Sequence, residues 1–375
     1  MLDILESCFE TPMARDADVI HIRQQERKVT TCSVKNGNIE LFSTSYLNGV
    51  GIRVLMDHTS WGFSSTNDME TQSVMKALKN ACILARTSHP TSGEDRFASL
   101  PPVRHKKSSA VEKPPSIFTD EDIAHIPLEA HEGAKETSTS IKEIMATYIS
   151  IEDKKTFLSS EGSQIEQDTT RVLLYVDVLA KKGDVICPAS ENLGHTGGLE
   201  LFDAVSPYRL GKTAGKRASR LLEAHPPPSG MFKTIIHPTL CATLLHEAIG
   251  HPLEADLAMA GGGFGAQVGN QVSSPLITIY DSGQIPGGLG YFSYDDEGVA
   301  CRKTTLIEKG ILTSFMHDRT SAAQSGVDPT GNAHAWDYSV EPLIRQTNIG
   351  IEPGDFTEEE MIEDIDEGLY LKGTF

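Results

Sequence analysis

Two runs of alternating side chains constrain this chain more than any other feature. Val50, Ile52, Val54 and Met56 alternate with Gly51, Arg53 and Leu55, Trp61 and Phe63 continue the period, and Val172, Leu174, Val176 and Val178 repeat it. A period of two sends successive side chains to opposite faces of a strand, so each run predicts a strand with one buried face. Asn36-Gly37, between Val34 and Ile39, predicts a tight hairpin, because both central residues of such a turn take positive φ. Residues 18 to 65 therefore read as a β meander. A helix follows from about Asp68 to Ala85, with Met75, Leu78, Ala81 and Cys82 at helical spacing.

Composition shifts divide the rest. Residues 1–87 form an N-terminal α+β unit, and 88–117 a proline-rich linker containing Pro101-Pro102, Pro114-Pro115 and the solvated basic run Arg104 to Lys107. Residues 118–225 form a central α+β unit with a helix near Pro127 to Ile141 and strands at Ile144 to Ile151 and Thr156 to Leu158. A turn at Ser160-Glu161-Gly162-Ser163 and a basic helix from about Tyr208 to Glu223 complete it. Residues 226–375 form a β-rich C-terminal unit with strands near Phe232 to His237, Leu276 to Tyr280 and Thr304 to Thr313. A turn at Asp281-Ser282-Gly283 and a glycine-rich loop from Gly261 to Gly265 lie between them, and a helix with an acidic first turn is expected at Thr357 to Leu369. The fold class is α+β, with mixed and antiparallel sheets, flanking helices, and a supporting sheet under the helix described next.

Thr239 to Asp256 carries the chemistry. It reads as a helix capped by Thr239, with Leu240, Leu244, Leu245, Ala248 and Ile249 facing the core, and it bears His246, Glu247 and His251. Two imidazoles can ligate zinc, and the carboxylate beside the first can take a proton from a water that the ion activates. The usual H-E-x-x-H motif spaces its histidines by four, whereas here they stand five apart, roughly 140° around an ideal helix. A regular helix would point them apart. Gly250, followed by His251 and Pro252, is where a bulge or helix end would bring them together. By itself the string fits a metal site and ordinary surface histidines equally well.

The wording of the whole stretch goes further. His246-Glu-Ala-Ile-Gly-His-Pro-Leu-Glu-Ala-Asp256, with Asp295-Asp-Glu-Gly298 and Ile307-Glu-Lys-Gly-Ile311, resembles the TldD/PmbA family on its TldD side. Gly49-Val-Gly-Ile-Arg53, Trp61-Gly-Phe63, Gly197-Gly-Leu-Glu200 and Gly368-Leu-Tyr370 match further landmarks in order, and Ser160-Glu-Gly162 matches more loosely. The resemblance implies a zinc metallopeptidase that cuts peptides or unfolded segments. It implies His246 and His251 as Zn2+ ligands, Glu247 as general base, and supporting or cleft roles for Glu254 and Asp256. It also implies pairing with a PmbA/TldE-like paralogue, or a homodimer, and a third ligand, a cysteine, downstream of Phe375. The C-terminal unit is thus expected to be a truncated metallopeptidase domain, unless Cys301, His317 or Glu254 substitutes. The alternative is a non-catalytic regulatory protein of the gyrase-modulator type with an incomplete metal site.

Charge and cysteine usage narrow the setting. With 33 basic and 52 acidic residues the net charge is −19, which opposes binding to phosphate backbones, so no direct nucleic-acid partner is expected. No apolar run approaches the roughly 20 residues of a spanning helix, and Met1 to Ser7 lacks a basic leader. A cytoplasmic chain without a membrane partner is the expectation. Six cysteines without a C-x-x-C pair predict neither a zinc ribbon nor disulfides.

Overall fold

A computed structural model describes residues 2–88, 97–261 and 267–373. Seven strands form one sheet: β1 (Val19–Lys35), β2 (Asn38–Met56), β3 (Ser60–Thr66), β4 (Arg104–Ser108), β5 (Ile141–Ser159), β6 (Gln164–Lys182) and β7 (Val185–Thr196). Their order is β3-β2-β1-β5-β6, with β4 and β7 both pairing with β6. Asn36 at φ 49° and Gly37 at φ 84° make the expected turn between β1 and β2. β1 and β5 pair from His21–Ser159 to Lys35–Met145, so hydrogen bonding runs straight from the N-terminal unit into the central one.

The long strands carry a core at each end. At one end Ile20, Ile22, Val50, Ile52 and Val54 pack under the helix Thr71–Thr87 through Val74, Leu78 and Ala81. At the other, Ile144, Tyr148, Val172, Leu174, Val176 and Val178 pack under the helices Asp120–Lys135 and Pro207–Leu221. Both alternating runs therefore bury the face that the sequence indicates. Trp61 and Phe63 lie on the opposite face of the sheet from Val54, because Gly62 is the residue paired with Val54 and facing the helix. There the Arg53 guanidinium sits 3.8 Å from the centre of the Trp61 ring.

Several local expectations need correction. The helix expected at Pro127 to Ile141 runs from Asp120 to Lys135, because Thr119 and Asp122 form a capping box that starts it earlier, with Pro127 inside. The strands expected at Ile144 to Ile151 and Thr156 to Leu158 are one strand, β5. The basic run Arg104 to Lys107 is no bare linker segment but lies in β4, parallel to β6. Strand β7 had no expectation at all. Apart from Gly261, the glycine-rich run ending at Gly265 falls outside the described residues.

In the C-terminal unit, β8 (Lys233–Ile236) pairs in parallel with the late strand Gly368–Leu371, which occupies part of the expected final helix. That helix is confined to Glu358–Glu363, started by a capping box between Thr357 and Glu360. Asp281 and Ser282 belong to β9 (Ile279–Ser282), not to a turn. β9 lies in a four-stranded sheet with β10 (Lys303–Glu308), β11 (Ile311–Leu312) and the strand Ile349–Ile351. Leu245, Leu253, Ile279, Leu306, Ile307, Leu312 and Met316 form a third core, which seats the histidine-bearing turn on this sheet.

Buried charges dock this unit on the large sheet. Arg319, 1% exposed, donates from Nη1 and Nη2 to Glu161 at 2.7 Å each. Lys155 Nζ lies 3.0 Å from Asp296, and Arg53 Nη1 2.6 Å from Glu297. Burial acts to raise the Glu161 pKa, but the bonds from the Arg319 guanidinium, with the His21 ring 3.8 Å away, outweigh it and hold the carboxyl down at about 2.

Candidate metal centre

The site begins where a strand turns into a helix. The helix Pro238–Leu244 is capped by His237, whose Nδ1 accepts from the Thr239 N–H at 3.2 Å. Thr239 is thus inside the first turn rather than at the cap. After Leu244 the backbone widens into one π-helical turn, Leu245–Gly250, and the N–H of His251 donates to the carbonyl of His246. A 3-10 turn, His251–Leu253, then ends it, with Pro252 unable to donate a continuing bond. The widening also changes which side chains face inward. Leu245, Ile249 and Cys241 meet the third core, while Leu244 and Ala248 are exposed, unlike the stripe expected of a uniform helix.

The π turn does what the five-residue spacing demands. The imidazoles of His246 and His251 stand edge to face, ring centres 4.6 Å apart. One donor atom each from His246, Glu247 and His251 lies within 4.8 Å of the others. His246 and Glu247 are exposed, and His251 is 37% exposed. Gly250 permits this turn to be overlaid: a Cβ there would fall 1.8 Å from Gln346 Oε1, and the Gln346 amide donates to the His246 carbonyl at 3.1 Å.

Glu254 is fully buried, and its Oε1 lies 3.0 Å from His251 Nδ1. That bond leaves His251 Nε2 facing outward as the ring nitrogen able to ligate. Backbone bonds from Met316 N to Leu253 O and from Ala255 N to Met316 O bracket Glu254 and fix its place. Burial pushes the Glu254 carboxyl above the usual carboxylate range, against the pull of Arg345 and His251. Asp256 is exposed in the first turn of the helix Ala255–Met259. Cys301 donates to the Gly331 carbonyl, and His317 pairs with Ser321, so neither joins the cluster. Sequence reasoning missed Arg345 and Gln346. They lie in a stretch without periodicity, and Gly250 inside a helix was the one local sign that another segment approaches.

Two imidazoles and a carboxylate presented from one helical turn form a cluster that could hold a divalent metal ion. The sequence matches three profiles: PmbA/TldA metallopeptidase domain 1 over residues 22–85, the central domain over 112–222, and the C-terminal domain over 229–375. The chain belongs to the PmbA/TldD metallopeptidase family.

Its relatives are named accordingly. A metalloprotease of Methanocaldococcus jannaschii is 33% identical over 95% of this chain and 78% of its own length. A zinc metalloprotease TldD homolog of Saccharolobus solfataricus is 30% identical over 86% of this chain and 70% of its own length. Among solved structures, TldE of Thermococcus kodakarensis superposes with a TM-score of 0.77 at 22% identity, covering 99% of this chain and 83% of that one. A candidate modulator of DNA gyrase from Bacteroides thetaiotaomicron gives 0.83 at 17% identity, covering 99% and 82%. These likenesses bear out the α+β fold with mixed sheets and flanking helices. No helix among the described residues is long and apolar enough to cross a membrane.

Proposed function

We propose that this chain is a zinc-dependent peptidase acting on peptides or unfolded segments, with His246 and His251 as ligands and Glu247 as general base. The observation that carries the reading is the π turn, which gathers the donor atoms of all three within 4.8 Å. The donor set fits zinc, which takes imidazole nitrogens readily. When bound, the ion would lower the pKa of a water to about 7 and polarise a peptide carbonyl. Glu247, exposed on the same turn, takes the proton of the attacking water and returns it to the leaving amine as the C–N bond breaks. Glu254 holds the His251 ring through Nδ1, which would leave Nε2 free to ligate.

The division at residues 87, 117 and 225, the supporting roles of Glu254 and Asp256, and pairing with a TldE-like paralogue or a second copy are parts of this proposal. So is a cytoplasmic location, for which all six cysteines being free is the support. The test is metal analysis, with turnover of an unstructured peptide measured before and after chelation and in Glu247→Gln. Bound zinc, chelator-sensitive hydrolysis and a metal-loaded but inactive variant are expected. Turnover retained by Glu247→Gln would refute the mechanism.

One observation favours a second reading. Beside the carboxylate assigned as base, the described residues bring only two imidazoles to the cluster, whereas zinc hydrolases use three protein ligands. A non-catalytic regulatory protein would need no more. Absence of zinc at neutral pH with both histidines intact would support it.

A further inference from the structure

We infer that Arg345 is a positioning residue of the metal centre, acting through Glu254 on the ring of His251. The inference rests on the metal reading above. Arg345 Nη1 donates to Glu254 Oε2 at 3.1 Å, while Glu254 Oε1 engages His251 Nδ1 at 3.0 Å. The carboxylate is therefore gripped from both sides, and the guanidinium fixes the plane in which it meets the imidazole. Arg345 has no lone pair to offer an ion, so it cannot itself be a ligand.

Its own placement is unusually determined. The Arg345 N–H donates to the Asn332 carbonyl at 2.8 Å, and Asn332 Nδ2 donates back to the Arg345 carbonyl at 3.0 Å. Asn332 Nδ2 also donates to Asp281 Oδ2 at 2.8 Å, and Asp281 accepts from the N–H and hydroxyl of Thr347 at 2.8 and 2.7 Å. Asp281, Asn332 and Glu254 are each no more than 1% exposed. Burying these polar groups is costly unless each is satisfied, and here they satisfy one another in a line that ends at His251. Peptide hydrolysis as described above assigns no role to Asp281, Asn332 or Arg345. Holding one imidazole in a single orientation does.

The test uses the full chain, with Zn2+ affinity from calorimetry and Co2+ binding from its visible absorption. Arg345→Ala should bind roughly 10- to 100-fold more weakly and give an altered Co2+ spectrum. Arg345→Lys should recover part of the affinity. Because Arg345 is 47% exposed, free guanidinium at low concentration should restore part of the Arg345→Ala loss. A purely structural role predicts a lowered unfolding temperature with the affinity and spectrum of the folded protein unchanged, and that result overturns the inference while leaving the zinc reading intact. A wild-type chain that binds neither ion overturns both. If Arg345→Ala does not fold, Arg345→Gln and Arg345→Lys supply the same comparison.

Discussion

The backbone N–H of His251 bonds to the carbonyl of His246, five residues back. A regular helix would close four residues back and turn the two rings apart. The wider turn instead holds the two ring centres 4.6 Å apart.

Replacing either histidine should remove metal without unfolding the protein. Neither ring is buried, so His246→Ala should stay within about 0.5 kcal/mol, whereas His251→Ala, which takes a partner from the buried Glu254, should cost about 1–3 kcal/mol. Zinc content of His246→Ala and His251→Ala, read beside thermal unfolding, checks this. A large drop in stability of the metal-free variants would mean that the rings serve the fold.

Gly250→Ala should damage the same site from behind. The added methyl would meet the Gln346 amide at 1.8 Å, so either that amide or the turn must shift. A loss of about 1–3 kcal/mol is expected, together with weaker zinc binding. Unchanged affinity would show that the turn tolerates the shift.

Leu253 anchors the 3-10 turn that follows His251 and is 0% exposed in the third core. Leu253→Ala should cost about 3 kcal/mol by leaving a cavity. Denaturant unfolding measures it, and an effect below about 1 kcal/mol would mean that the site collapses readily around the void.

The Glu161–Arg319 pair predicts a pH dependence. The Glu161 carboxyl ionises at about 2 in the folded chain against an ordinary value of 4.5. Its stabilisation is therefore complete above 4.5 and fades as pH falls through about 2. Glu161→Gln should cost about 3 kcal/mol at neutral pH by leaving Arg319 unpaired, and the gap from wild type should close toward pH 2. A gap that stays constant over that window would contradict the assignment.

Legibility in the sequence followed the range of the forces. The Asn36-Gly37 turn and the strand faces at Val50 to Met56 and Val172 to Val178 were readable because local backbone geometry and period two set them. The five-residue spacing of His246 and His251, with Gly250, announced a bulge on helical geometry alone. Strand β4 was not readable, since Arg104 to Ser108 are all exposed and carry no alternation. Pro127 misled because a proline is a common helix opener, whereas Thr119 and Asp122 begin the helix a full two turns earlier. Arg345 and Gln346 were silent because their roles depend on partners about a hundred residues away in sequence, at Glu254 and His246.

The ion pairs beneath the C-terminal unit make the histidine-bearing piece poorly portable. Cut free at residue 226, it would carry Asp296, Glu297 and Arg319 to a new surface without Lys155, Arg53 and Glu161. Grafting the turn onto another scaffold, or expressing that piece alone, would therefore leave behind the contacts that dock it. The large sheet, remote from the histidines in sequence, is part of what a working centre must inherit.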